Sequence, residues 1–245
     1  MLQVSDIEVV DYRTGRPVAL TGPLSFDVAD GEIFGLVGES GSGKTMAALA
    51  LMRLAPPTAR VSGRALLDGR DLAAVSERDM RNIRGADIAM IFQEPVSALN
   101  PVFTLETQLV VAIRAHRKLT KAKARARAIE LMHMVGIPDP ESRLRFYPHQ
   151  LSGGLAQRAM IAMALASGAK FLIADEPTTS LDVTIQEQIV QLIERLARNS
   201  GLAVLFISHD LGVVARLCKR VAVLYAGEVV EIGSTEQLLR DPRHP

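Results

Sequence analysis

The chain has 245 residues, 48 % of them hydrophobic, and 28 basic against 27 acidic side chains leave a formal net charge of +1. That length suits one large α/β domain or a core carrying a subdomain, and the even charge balance gives no electrostatic case for a nucleic-acid partner. A single cysteine, Cys218, excludes an internal disulfide and a cysteine-based zinc site, and no apolar run approaches the ~20 residues that span a bilayer.

The start of the chain carries Asp6, Glu8 and Asp11 where a secretory signal would need an apolar segment. Short β-rich runs follow one another there. Leu2 to Val10 mixes apolar and polar residues, and so does Leu24 to Ala29, which closes on the turn pair Asp30-Gly31. Ile33-Phe34-Gly35-Leu36-Val37 is apolar without alternation, the pattern of a strand buried on both faces. A glycine-rich loop, Gly38 to Gly43, comes next, then a helix over Thr45 to Leu54 ended by Pro56-Pro57. Arg64 to Leu67 is a further strand before Asp68-Gly69, and Ile88 to Phe92 is another, ending at Gln93.

From Glu94 to about Ala166 apolar residues recur at helical spacing. Lys121 to Val135 predicts a helix with Thr120 as its N-cap and Gly136 as its stop. Strand and helix then alternate again: Phe171 to Ala174, Thr184 to Arg198, Ala203 to Ile207, and a hairpin of Val221–Leu224 and Val229–Ile232 around Ala226-Gly227. This order predicts an α/β fold with a mostly parallel sheet and helices on both faces. Residues 1–93 and 167–245 form the expected core, and 94–166 an inserted helical subdomain.

Gly38-Glu39-Ser40-Gly41-Ser42-Gly43-Lys44-Thr45 matches the phosphate-binding pattern Gly-x4-Gly-Lys-Thr, with a strand before it and a helix after it. Glycines let backbone N–H groups approach phosphate, and the helix start adds partial positive charge. Lys44 is placed for the β- and γ-phosphates and the Thr45 hydroxyl for Mg²⁺. Asp175 and Glu176 end an apolar strand. Alone, such a pair reads as a helix cap or a solvated turn; beside a phosphate loop, Asp175 becomes a Mg²⁺ ligand and Glu176 the group that polarises attacking water. Gln93 alone reads as a surface amide, and as an alternative one that ligates Mg²⁺ or water. His209 ends the Val204–Ile207 strand, where an α/β sheet opens its ligand crevice, although a lone histidine is more often structural. Leu151-Ser152-Gly153-Gly154-Leu155 offers a hydroxyl and exposed N–H groups at a helix start, a second phosphate-binding surface. The basic run Lys118 to Arg127 reads as a solvated helix face, and Cys218 as a packing residue.

These motifs, in this order, resemble the ATP-binding subunits of ABC transporters over nearly the whole chain. The resemblance implies a RecA-like P-loop core, an N-terminal antiparallel β subdomain and the helical insert. It makes Gly38 to Thr45 with Met46 the Walker A segment, Gln93 the Q-loop, Phe171 to Glu176 Walker B, and Ser180-Leu181-Asp182 the D-loop. His209, within Ile207-Ser208-His209-Asp210, becomes the switch that contacts the γ-phosphate. Leu151 to Gly154, with Gln157, becomes the signature that completes a partner's site. Tyr12 is the candidate for the aromatic stacked on adenine; a surface or sheet-edge tyrosine is the other reading. Glu94 to about His116 is expected to dock a transmembrane subunit.

Finer features resemble the oligopeptide, dipeptide and nickel import subfamily: Gln93-Glu94-Pro95, Ala98-Leu99-Asn100-Pro101, Tyr147-Pro148-His149-Gln150 and the terminal Asp241-Pro242-Arg243-His244-Pro245. Leu155-Ala156 departs from the Met-Arg common there. Chains of that subfamily usually continue past such a His-Pro, at times with an iron–sulfur segment, so this one is expected to be shortened. The implied cofactors are ATP and Mg²⁺. The implied partners are a second ATPase chain (identical or different), two transmembrane permease subunits and, indirectly, an extracytoplasmic binding protein, with no nucleic acid. The implied place is the cytoplasmic face of the inner membrane, and the implied cargo is peptide, or else nickel, metal chelates, glutathione or other small solutes. A soluble ABC ATPase outside transport and a catalytically dead regulatory cassette are the remaining alternatives, and the Glu176 and His209 present here argue against the second.

Overall fold

The computed structural model describes residues 1–13 and 15–244, so Pro245 of the terminal motif lies outside the described residues. Internal packing divides the chain into two compact units, Met1–Met80 with Ala197–Pro245, and Arg81–Leu196. Elements are numbered along the chain.

In the first unit, β1 (Leu2–Asp11), β2 (Val18–Val28), β4 (Ala59–Leu67) and β5 (Arg70–Asp71) form an antiparallel sheet in the order β2-β1-β4-β5. Alongside it, β3 (Ile33–Gly38) runs parallel to both β8 (Ala203–Ser208) and β9 (Arg220–Tyr225). β10 (Glu228–Ser234) pairs back on β9 through a turn in which Ala226 and Gly227 take φ of 48° and 89°, the two positive values that a tight hairpin requires. Every residue of β8 is buried, as are the four central residues of β3. Phe34 and Phe206 have no exposed surface, and burying such a side chain contributes about 1.5–3 kcal/mol. Phe26 stacks on Phe34 with centroids 5.6 Å apart. Val37 pairs with Ser208, so the loop after β3 and His209 after β8 leave the sheet at the same edge.

Two strands outrun their expectation. β2 begins at Val18 rather than Leu24, and β4 at Ala59 rather than Arg64. Gly22-Pro23 reads locally as a break, but a register shift absorbs it: Ile7 pairs with Leu24 and Val9 with Thr21, a bulge that takes up residues the ladder cannot use. The Val9 N–H donates to the Thr21 hydroxyl at 3.0 Å. Three helices were not anticipated: α2 (Glu77–Ala86), α9 (Leu211–Leu217) and α10 (Thr235–Arg240). The last two are short, so periodicity is weak, yet their caps were visible. Asp210 accepts from the Gly212 and Val213 N–H groups at 2.8 and 3.2 Å, and Ser234 accepts from Gln237 at 3.2 Å.

Cys218 is 3 % exposed, and burial, with the Glu32 charge adding to it, pushes its thiol up to about 12. It therefore stays protonated and packs as a small apolar group.

The second unit holds β6 (Ile88–Ile91), parallel to β7 (Phe171–Asp175), and every residue of both strands is buried. Around them run α3 (Pro95–Ala98), α4 (Leu105–His116), α5 (Lys121–Met134), α6 (Pro140–Arg143) and α7 (Gly153–Ala164). Leu109, Ile113, Leu131, Met132 and Ile161 are fully buried among them. The helix expected from Lys121 forms: Thr120 caps it, its hydroxyl accepting from the Lys123 N–H at 3.3 Å, and Gly136 follows at φ 76°. Replacing Thr120 with alanine should cost about 1 kcal/mol, read as a lowered urea midpoint with an unchanged slope. α8 (Val183–Ser200) passes through the division at Leu196. Among the described residues, no helix is long and apolar enough to cross a membrane.

Candidate nucleotide site

In the first unit, the glycine-rich loop leaves β3 and enters α1 (Lys44–Leu51). Two of its glycines are required by close approach. A Cβ on Gly38 would overlap the Leu224 carbonyl oxygen, and one on Gly43, at φ 101°, would sit 2.7 Å from the Leu20 carbonyl oxygen. The loop is thus pressed against β9 and β2, where no side chain fits. Lys44 is 4 % exposed, and its ammonium donates to the Gly38 and Glu39 carbonyls at 2.9 and 2.7 Å. It is held across the loop by atoms of the loop itself.

Ser42 carries the clearest sign of a ligand. Its hydroxyl oxygen is buried and has no hydrogen-bond partner, a state that costs ~1–3 kcal/mol unless something supplies a partner. A phosphate oxygen would. Glu39, Ser40, Gly41 and Thr45 are exposed around it, and Met46 is half-buried on the first turn of α1. Gly38, Glu39 and Ser40 also share a cleft of about 540 Å³ with His209 and Tyr225. The structure therefore brings His209 to the loop's own edge of the sheet. Tyr12 is 47 % exposed just past β1, its N–H donating to the Thr58 carbonyl at 3.0 Å.

In the second unit, Asp175 ends β7 and is 2 % exposed. Glu176 follows at φ 45°. Its Oε2 accepts from the Gln93 amide at 3.2 Å and from the Thr179 hydroxyl at 2.9 Å. Gln93 and Glu176, separated by 83 positions in the chain, thus meet side chain to side chain. Thr179, which the motifs do not single out, enters the site through this contact. The available signal was a hydroxyl three positions after the candidate base, behind a proline. Ser180 takes φ 65°, and Asp182 accepts from the Ile185 N–H at 3.0 Å at the start of α8.

The signature segment sits at the start of α7, with Ser152 as N-cap at φ −67° and ψ 159°. Its side chain makes no capping bond, and Ser152 and Gly153 are exposed. A helix start carries N–H groups with no intrahelical acceptor, so hydroxyl and amides face outward together. Leu151 and Gly154 are half-buried beside them. Gln157 differs: it is 1 % exposed, with its amide nitrogen buried and unpartnered, so the outward surface is carried by Ser152 and Gly153. Arg158 fastens the helix, donating to the Val135 carbonyl and, at 3.0 Å, to the Gln188 side chain.

Comparison with known proteins agrees with this geometry. The ABC transporter family profile matches residues 21–179. A probable peptide ABC transporter ATP-binding protein of Sinorhizobium fredii is 50 % identical over all of this chain, which spans 74 % of that relative. The dipeptide transport ATP-binding protein DppD of Escherichia coli is 47 % identical over the whole chain and 75 % of its own length. Among solved structures, the ATP-binding cassette MJ0796, described as a dimeric post-hydrolysis state bound to ADP and Pi, superposes with a TM-score of 0.85 at 26 % identity, covering 96 % of this chain and 99 % of that one. With its phosphate loop, acidic strand end and outward-facing helix start in place, the chain belongs to the ABC transporter family.

Proposed function

We propose that this protein is the ATP-hydrolysing subunit of an importer that carries peptides across the bacterial inner membrane. The observation that carries the cargo is identity of 46–50 % over the full chain to relatives described as peptide, dipeptide or oligopeptide transport ATP-binding proteins. The phosphate loop supports the reaction. Its buried, unpartnered Ser42 hydroxyl and the loop-held Lys44 fit a triphosphate, with Lys44 as the point charge on the β- and γ-phosphates.

Each candidate donor suits Mg²⁺ by its own chemistry: the Thr45 hydroxyl in the first unit, and the Asp175 carboxylate and Gln93 amide in the second, all offer hard oxygens. Bound Mg²⁺ would neutralise charge on the β- and γ-oxygens. Glu176 accepts hydrogen bonds at Oε2 and acts as the base that polarises water. Water forms a bond to the γ-phosphorus as the bond to the β–γ bridging oxygen breaks, releasing ADP and phosphate. His209 contacts the γ-phosphate.

Ser152, Gly153 and Gly154 are taken to complete the site of a second cassette, so the working unit is a dimer of ATPase chains. Residues 94–166 are taken as the helical subdomain, with Glu94 to about His116 docking the permease. The protein would then sit at the membrane's cytoplasmic face as a peripheral subunit. A test is reconstitution with its permease subunits in proteoliposomes. Peptide-loaded binding protein should raise ATP hydrolysis several-fold over unloaded binding protein. Stimulation by a nickel chelate and not by peptide would reject the cargo, and absence of hydrolysis in the full complex would reject the activity.

A further inference from the structure

Glu176 occupies a backbone conformation that L-residues avoid, at φ 45°. Left-handed residues other than glycine cost roughly 1–2 kcal/mol, so the surrounding structure must hold it there. The holding device is the turn that follows β7. The Thr179 N–H donates to the Glu176 carbonyl at 3.2 Å, with Pro177 at the second position, where its fixed φ favours such a turn. Thr179 is then bound a second time, because its hydroxyl donates to Glu176 Oε2 at 2.9 Å. One residue therefore clamps both the backbone and the carboxylate of Glu176.

The choice of side chain matters. Threonine is β-branched and stiff at χ1, so its hydroxyl is held in place more firmly than that of a serine. Thr179 is half-buried, and the neighbouring Thr178 is 7 % exposed. The second donor to the same oxygen, Gln93, is longer at 3.2 Å and exposed. The turn hydroxyl is the local, short and shielded contact.

We propose that Thr179 is a positioning residue for ATP hydrolysis, its hydroxyl fixing the carboxylate plane of Glu176 so that Oε1 is the oxygen that takes the proton from water. This rests on Glu176 being the base. The role is distinct from binding: nothing about Thr179 predicts a change in ATP affinity.

The experiment compares the purified protein with Thr179→Val, Thr179→Ala and Thr179→Ser. Valine keeps the branched shape and removes the donor; alanine is a second deletion with less bulk; serine keeps the donor. Valine and alanine should lower kcat by about tenfold to a hundredfold, the scale of a misplaced catalytic group, with the KM for ATP unchanged within about twofold. Serine should restore most of the rate. In a Glu176→Gln background, single-turnover hydrolysis should show no further loss on adding Thr179→Val, because the group being positioned is gone. Wild-type kcat in both deletion variants would overturn the proposal. So would equal losses in the two backgrounds, or a serine variant as slow as valine. Failure of the underlying reading looks different: Glu176→Gln alone would then hydrolyse ATP at the wild-type rate, whatever Thr179 does.

Discussion

Glu176→Gln is expected to lower ATP turnover by on the order of 10²–10⁴-fold, the span a general base contributes, while ATP binding is retained. The substitution is nearly isosteric. The amide oxygen of glutamine can still accept from the Thr179 hydroxyl and the Gln93 amide, which now bond Oε2 at 2.9 and 3.2 Å. The turn after β7 therefore survives, and what disappears is the lone pair basic enough to take a proton from water. The loop in the first unit, which carries Lys44 and Ser42, is untouched by the change. Because binding persists and hydrolysis does not, the variant should accumulate as an ATP-bound dimer in size-exclusion chromatography. Hydrolysis at the wild-type rate would remove Glu176 from its assigned role.

Lys44→Met should act on the opposite half of the reaction. Hydrogen bonds to charged groups contribute about 1.5–3 kcal/mol, so loss of the ammonium should weaken ATP binding by roughly tenfold to a hundredfold or more. Methionine keeps most of the buried stem of a residue that is 4 % exposed, so the helix and its packing should remain. Its thioether cannot replace the donors that meet the Gly38 and Glu39 carbonyls, and the loop should loosen locally. The thermal readout separates the two effects. Ligand at a hundred times its dissociation constant stabilises the wild type by about 2.7 kcal/mol, and at the same ligand concentration the variant should lose about half of that nucleotide-induced stabilisation if affinity falls tenfold and most of it if affinity falls a hundredfold. An unchanged shift with Mg²⁺ and ATP would show that Lys44 does not contact the nucleotide.

The two variants fail in different ways because sequence and structure contribute different information. The phosphate loop was legible from residues alone: glycines, a lysine and a threonine between an apolar strand and a helix admit few other uses. The buried strands β3, β7 and β8 were equally legible, since unbroken apolar runs have no other stable place. The helix from Lys121 could be read from its cap and its stop. Extents were harder to read. Gly22-Pro23 signals a break in any local reading, yet β1 supplies a partner ladder, and a bulge lets the strand continue. The short helices α9 and α10 escaped because one or two turns contain too few residues to establish a period, even though Asp210 and Ser234 stood ready as caps.

Within the site, the motif order named Glu176 and Gln93 separately, and only folding showed that their side chains touch. Thr179 became visible for the same reason. Gln157 shows the converse: its place beside the signature suggested outward contact, but the turn of α7 carries it inward to 1 % exposure. Residue types and their spacing determined which chemistry this chain carries, because phosphate binding and water activation demand particular groups. Which side chains hold which others, and which of them face out, was decided by the tertiary structure. Those contacts depend on turns, bulges and helix phase that bring distant residues together, and no local pattern encodes them.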